Sequence, residues 1–249
     1  MYFKSRKFLV YGMGKSGLAD CKYILSRGGF VYLTDDDIEK LKKNSEKLAK
    51  SNIIICDIKW CLDNVTSFDV LILSPGVGID SELCKKCKAK GIRITGDLEL
   101  GVNYMRNPVI SVTGTNGKTT TVNMISDVLN KAGIANFKVG NVGVPFCDSF
   151  NRSDDEIAVA EVSSFQMESV KYFEPYIAVV TNITPNHLDR HYRMKYYAYL
   201  KEKTLFNQNE DDFAVLNFDD DIVKGFCKDI KSKILYFSCK EKVDGAYLK

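Results

Sequence analysis

Thr113-Gly114-Thr115-Asn116-Gly117-Lys118-Thr119-Thr120 stands between an apolar run and an amphipathic stretch. Glycines in a strand-to-helix turn let backbone N–H groups cradle phosphates at a helix N-terminus. A lysine after the second glycine can reach the β- and γ-phosphates, and the next hydroxyl can face Mg²⁺. Gly114, Thr115, Asn116, Gly117, Lys118, Thr119 and Thr120 are therefore candidate triphosphate-binding residues. The pattern departs from G-x-x-x-x-G-K-[ST], because Val112 occupies the expected position of the first glycine.

A second loop, Gly12-Met13-Gly14-Lys15-Ser16-Gly17, follows the apolar run Lys7 to Tyr11. Asp35 ends the next apolar run and suits a ribose hydroxyl or a base edge. Alone, such a loop fits NAD(P), another nucleotide, or a tight turn with no ligand. Two phosphate loops in one chain predict two phosphorylated ligands: ATP, and a nucleotide-like molecule held by the first loop.

Other reactive residues are sparse. The two histidines, His187 and His191, share one short segment. Their spacing would place both on one helical face as a zinc pair, but Pro185 and the lack of an H-E-x-x-H pattern argue against it. No Ser-His-Asp or Cys-His set is evident. Cys84 and Cys87 form the one C-x-x-C, in a Lys-rich amphipathic stretch, and no second pair completes a zinc site. The eight cysteines are expected to be reduced and structural.

These residues need a scaffold, and the pattern supplies it. Lys7 to Tyr11, Phe30 to Thr34, Ile53 to Ile55, Val70 to Leu73 and Ile92 to Thr95 read as strands. Helices are expected over Leu18 to Ser26, Ile38 to Lys50 and Ser81 to Lys90. A second alternating series has strands at Val109 to Val112, Ile157 to Val162, Tyr176 to Val180, Phe213 to Asn217 and Ile234 to Phe237. Its helices span Thr119 to Ala132 and Tyr196 to Phe206. Alternation of this kind predicts an α/β chain: a Rossmann-like, doubly wound parallel sheet, then a P-loop-type α/β ATPase domain. The boundary falls near Thr95 to Asp97, giving domains 1–96 and 97–249. Glu161 then ends a strand, where sites in parallel sheets form.

Composition narrows the classes further. With 249 residues, 45% hydrophobic and 27% charged, the chain is neither disordered nor collagen-like. Lys+Arg of 35 against Asp+Glu of 32 gives +3, too balanced for a nucleic-acid binder. No run of 18 apolar residues and no secretory leader is present, so no membrane partner and a cytoplasmic location are expected.

Taken in order, several segments resemble the Mur ligase family. They are the 113–120 loop, Ser74-Pro75-Gly76, Gly96-Asp97-Leu98-Glu99-Leu100, Gly140 to Pro145, Glu161-Val162-Ser163-Ser164-Phe165-Gln166, Asn182 to Asp189, and Tyr197 to Lys201. Folylpolyglutamate synthases share the loop in looser form. The first loop, S-P-G, G-D-L-E-L and E-V-S-S-F-Q most resemble the branch adding D-glutamate to UDP-N-acetylmuramoyl-L-alanine. The resemblance implies a cytoplasmic, ATP-dependent amide ligase of bacterial peptidoglycan synthesis, working through an acyl phosphate. Its nucleophile belongs to the substrate, so the protein must position groups and neutralise phosphate charge.

The resemblance also implies roles. Lys118, His187 and Lys201 would be catalytic. Thr119 and Glu161 would hold one Mg²⁺, with His187 and a carbamylated Lys201 at a second; nitrogen ligation of Mg²⁺ is unusual. Lys203 is the fallback for Lys201. Gly14, Lys15 and Ser16 would meet the diphosphate, Asp35 and Asp36 the uridine, and Ser74 and Gly76 the S-P-G turn's share of the UDP-sugar. Asn141, Ser163 and Gln166 would meet its sugar-peptide end. The family has three domains, so 249 residues predict an incomplete central domain, an absent C-terminal ligase domain, and a chain that binds without turnover. A monomer is expected. Remaining alternatives are a sister Mur or folylpolyglutamate-type ligase, an NAD(P)-linked Rossmann oxidoreductase, or a non-catalytic UDP-precursor-binding fragment.

Overall fold

The computed structural model describes residues 3–48, 52–228 and 230–249. The chain forms two compact units. The first runs up to Tyr104 and also takes in Pro145–Asn151 and Glu168–Lys171; the second comprises the remainder.

The first unit runs β1 (Lys7–Tyr11), α1 (Lys15–Ser26), β2 (Phe30–Thr34), α2 (Ile38–Ser45), β3 (Ile53–Ile55), α3 (Ile58–Asp63), β4 (Val70–Leu73), α4 (Glu82–Ala89), β5 (Arg93–Gly96) and α5 (Asp97–Val102). Its sheet has the order β3-β2-β1-β4-β5, with every pairing parallel. The central strands β1 and β4 are apolar runs because helices cover both faces. Phe8, Val10, Val31, Leu33, Val70 and Ile72 pack on one face with α1, while Leu9, Tyr11, Leu71 and Leu73 pack on the other with α3 and α4. Cys84 and Cys87 are buried in that second layer, so the C-x-x-C spacing is the apolar stripe of α4. Cys21, Cys56, Cys61, Cys84, Cys87, Cys147 and Cys239 are free thiols.

Helix starts follow local chemistry. Asp37 caps α2 by accepting from Lys40 N, and Asp57 caps α3 by accepting from Trp60 N. Gly28 ends α1 in the left-handed region, where a side chain is disfavoured. Helix α1 begins at Lys15, three residues before the predicted Leu18, because the glycine loop turns straight into it. Helix α2 stops at Ser45; the predicted end at Lys50 lies outside the described residues.

The second unit runs β6 (Val109–Thr113), α6 (Lys118–Lys131), β7 (Asn136–Gly140), β8 (Ile157–Glu161), α7 (Ser164–Met167), β9 (Ile177–Val180), α8 (Leu188–His191), α9 (Met194–Glu202), β10 (Phe213–Asn217), α10 (Asp221–Lys224), β11 (Lys233–Ser238) and β12 (Gly245–Tyr247). Its sheet has the order β12-β11-β10-β9-β6-β8-β7, again parallel in every pairing. Strand β6 lies inside the sheet between β9 and β8, and the loop leaving it opens at the carboxyl end of the sheet. Strands β7 and β12 form the edges. Both units are α/β with parallel sheets, as the alternating pattern predicted.

Candidate functional site

In the first unit, the loop after β1 is shaped by close packing. Gly12 sits at φ +99°, and its carbonyl accepts from Ser74 Oγ at 2.7 Å. A Cβ on Gly17 would overlap that same Gly12 carbonyl oxygen, so the third glycine of the loop lets α1 approach it. A cavity of about 300 Å³ opens beside the loop. Gly14, Lys15, Ser16, Asp35, Asp36, Ser74 and Gly76, all singled out in the sequence, line it together.

Asp35 is largely engaged within the protein. Its Oδ2 accepts from Met13 N at 2.5 Å and from Lys40 Nζ at 3.1 Å, while Oδ1 accepts from Asp37 N at 2.9 Å. Burial pushes its carboxyl up, but these donors outweigh burial and hold it below the ordinary value. Asp36 is the exposed partner, accepting from the Tyr11 hydroxyl at 2.8 Å. Sequence reasoning missed Tyr11, Lys40 and Asn44, whose Nδ2 donates to Met13 O at 2.7 Å. Tyr11 is the only one with a positional signal, as the last residue of β1 before the loop.

In the second unit, the 113–120 loop folds around its own carbonyls. Gly114 (φ +141°) and Gly117 (φ +83°) occupy backbone conformations that other residues rarely adopt. A Cβ on Gly114 would collide with Thr181 Oγ1. Lys118 Nζ donates to Gly114 O at 2.9 Å and Thr115 O at 2.8 Å. Burial lowers the Lys118 ammonium below its ordinary value, with the Glu161 carboxylate opposing. Asn116 is tied down by Asn182, through its N–H to Asn182 Oδ1 at 3.0 Å and its carbonyl to Asn182 Nδ2 at 3.0 Å. Thr120 is exposed in the first turn of α6. A cavity of about 420 Å³ next to Asn116 and Gly117 is lined by Thr121, Thr181, Asn182, Asn217 and Phe237. No local motif marked Thr181 or Asn217.

Glu161 ends β8 and is 2% exposed. Thr119 Oγ1 donates to its Oε2 at 2.7 Å, and Asn141 Nδ2 to its Oε1 at 2.6 Å. A hydroxyl and a carboxylate side by side are oxygen donors of the kind a hard divalent cation prefers, so these residues fit Mg²⁺.

Lys201 projects from α9 and is 1% exposed. Its Nζ donates to Gly114 O at 2.7 Å and lies 4.7 Å from the Tyr197 ring centroid. Burial lowers its ammonium to about 7, with Lys118 adding repulsion. Lys203 instead donates to Met167 O at 2.8 Å.

The two histidines diverge. His187 is exposed, at φ +52°, and its ring lies 4.7 Å from Phe165. His191 is 1% exposed, with Nε2 3.0 Å from Ser164 Oγ. Burial lowers its imidazole to about 4, helped by Arg190, His187 and Lys201. Helix α8 starts after His187, so the pair does not share a helical face. Gln166 is buried, and its Oε1 accepts from Ser163 N at 2.9 Å and Ser163 Oγ at 3.0 Å, closing the turn after β8.

Residues 112–249 match the Mur ligase middle domain, and residues 6–96 match the MurD-like N-terminal domain of Mur ligases. The chain belongs to the Mur ligase family. Among curated relatives, the UDP-N-acetylmuramoylalanine--D-glutamate ligase of Clostridioides difficile (strain 630) is 37% identical over 98% of this chain and 55% of that protein. This Mur ligase chain thus spans about half the length of that relative. Among solved structures, the UDP-N-acetylmuramate:L-alanyl-gamma-D-glutamyl-meso-diaminopimelate ligase from Neisseria meningitides shares the fold, with a TM-score of 0.62 and 18% identity over 97% of this chain and 85% of that one. The MurF ligase from Thermotoga maritima, solved in complex with ADP, has a TM-score of 0.50 and 19% identity over 97% of this chain and 49% of that one.

Proposed function

We propose that this Mur ligase chain carries the nucleotide-sugar and ATP sites of a UDP-N-acetylmuramoyl-L-alanine:D-glutamate ligase, a cytoplasmic monomer of peptidoglycan synthesis. The observation that carries the reading is the cluster of Lys118, Thr119 and Glu161, with Lys201, around the 113–120 loop. The 37% identity to the Clostridioides difficile protein of that activity supports the choice of substrate.

The residues suggest a division of work. Lys118 leaves the Gly114 and Thr115 carbonyls to neutralise the β- and γ-phosphates of ATP. Thr119 and Glu161 would hold one Mg²⁺ by oxygen; His187 and Lys201, once carbamylated, would serve a second. Bound Mg²⁺ supplies charge neutralisation for phosphoryl transfer to the alanine carboxylate. Lys201 has the amine chemistry needed for carbamylation, since an ammonium lowered to about 7 leaves a large neutral fraction to react with CO₂. In the first unit, Gly14, Lys15 and Ser16 meet the diphosphate, and Asp36, Ser74 and Gly76 the rest of the UDP. Asp35 acts by holding the loop through Met13 N. D-glutamate supplies the attacking amine.

Calorimetric titration tests the reading. UDP-N-acetylmuramoyl-L-alanine should bind more tightly than the same molecule lacking alanine. Binding of NADH with no binding of either UDP-sugar would overturn it.

A further inference from the structure

Within the first unit, three acidic side chains meet where no solvent reaches. Asp20 on α1, Asp97 at the start of α5 and Cys147 in the returning segment are fully or almost fully buried. One ligand atom from each lies within 4.8 Å of the other two. Asp97 has a structural task, as its carboxylate accepts from Phe146 N at 3.2 Å and Cys147 N at 3.0 Å. Asp20 has none. It is 0% exposed, and neither carboxyl oxygen has a hydrogen-bond partner. Its polar neighbours are the Asp97 carboxyl and the Cys147 thiol.

Burying a carboxyl with no partner is strongly unfavourable, and burying several acids together more so. The cluster must therefore hold protons or a cation. Burial pushes the Asp20 carboxyl and the Cys147 thiol well up, so without a cation these two hold protons, while Asp97, raised to about 6, is mostly ionised near neutral pH. A protonated Asp20 has only the Cys147 thiol, a weak donor, and the Asp97 carboxyl to pair with. A cation satisfies all three groups at once.

We propose that Asp20, Asp97 and Cys147 form a structural site for a zinc-class divalent transition metal, separate from the phosphate loops. A thiolate beside two carboxylates favours such a metal over Mg²⁺ or Ca²⁺, which prefer oxygen alone. Binding releases the remaining ligand protons, and a trapped water completes a four-coordinate shell. The metal would pin α1 and α5 to the Pro145–Asn151 segment, which the chain reaches only after long excursions.

The test uses the 249-residue chain, purified without chelator and analysed for metals by mass spectrometry. About one zinc per chain is expected in the wild type and in Glu161→Ala, which alters the other candidate cation site. Background content is expected in Asp20→Ala and Cys147→Ser. Zinc-edge absorption spectroscopy of the wild type needs no variant to fold. It should show one sulfur at ~2.3 Å and the remaining ligands oxygen at ~2.0–2.2 Å. Background metal in the wild type, even after incubation with Zn²⁺, would overturn the site. So would a shell of several sulfurs, or content unchanged in both folded variants.

Discussion

The Lys201 ammonium donates to the Gly114 carbonyl at 2.7 Å, so a buried lysine of α9 and the glycine that opens the phosphate loop share one bond. The same oxygen also accepts from Lys118. Burial and this second cation lower Lys201 to about 7. Its unfolded value is the higher one, so between pH 7 and 10.5 the unfolded chain binds more protons and stability rises with pH. Replacing Lys201 by Met should remove a slope of up to about 1.4 kcal/mol per pH unit in that window. Urea titrations of both proteins between pH 7 and 8.5, below the ordinary range of thiols, would measure it. Identical slopes would place the lysine in a more solvated setting.

His191 gives the opposite test on the acid side. Its folded value, lowered by burial to about 4, lies below the ordinary imidazole value. The folded protein therefore carries neutral His191, and its contribution is lost as pH falls from about 6.5 towards 4. A His191→Phe variant should lose less stability across that interval than the parent. An NMR titration of the imidazole is the direct check, and a midpoint near 6.5 would exclude the buried setting.

Two glycines should tolerate no side chain, for different reasons. Gly17→Ala places a Cβ against the Gly12 carbonyl and should destabilise the first unit by about 3 kcal/mol. UDP-sugar affinity should fall with it. Gly114→Ala meets Thr181 Oγ1 and an unfavourable φ, and should disrupt the second loop instead. Thermal unfolding with each ligand separates the two. UDP-sugar protection should survive in Gly114→Ala and nucleotide protection in Gly17→Ala.

Thr119→Val and Glu161→Gln should weaken Mg²⁺-nucleotide binding while leaving the metal-free nucleotide nearly unaffected. Losing one charge-assisted oxygen contact corresponds to about 1.5–3 kcal/mol, or roughly 10- to 100-fold in affinity. Fluorescent-nucleotide titrations with and without Mg²⁺ give the ratio. An equal loss in both conditions would assign these residues to the loop's shape.

Asp35→Asn keeps the size of the side chain but removes the charge that Met13 N–H and Lys40 address. The loop should loosen by about 1–3 kcal/mol. Because the residue organises the cavity, the Kd for a UDP-sugar should rise more than the unfolding free energy changes. A wild-type Kd would show that the cavity wall is set by other groups.

The central strands and both glycine loops were legible because each has a local cause: an apolar run, then glycines, then an amphipathic stretch. Strand β7 was not. Asn136-Phe137-Lys138-Val139-Gly140 is an edge strand with only Phe137 and Val139 buried, so its apolar signal is short. Helix α5 was also missed, since Asp97 and Glu99 are buried in it against the usual pattern. Asp97 answers to Phe146 and Cys147, about fifty residues away. Among the candidate site residues, type and spacing singled out Lys118 and Thr119, whereas Glu161 came from its place at a strand end and from the family resemblance. The engagement of Asp35 by Lys40, and of Gln166 by Ser163, depends on side-chain direction, which spacing alone does not encode.

The crowded Gly114 carbonyl makes nucleotide capture a trade. Both ammonium groups already have an oxygen in Gly114, so on the proposed reading a phosphate would have to outcompete existing bonds. Each lysine that turns outward forfeits contacts of about 1 kcal/mol apiece. The loop therefore favours ligands able to offer more than one carbonyl can. A triphosphate, with its several anionic oxygens, would do so better than a lone inorganic anion.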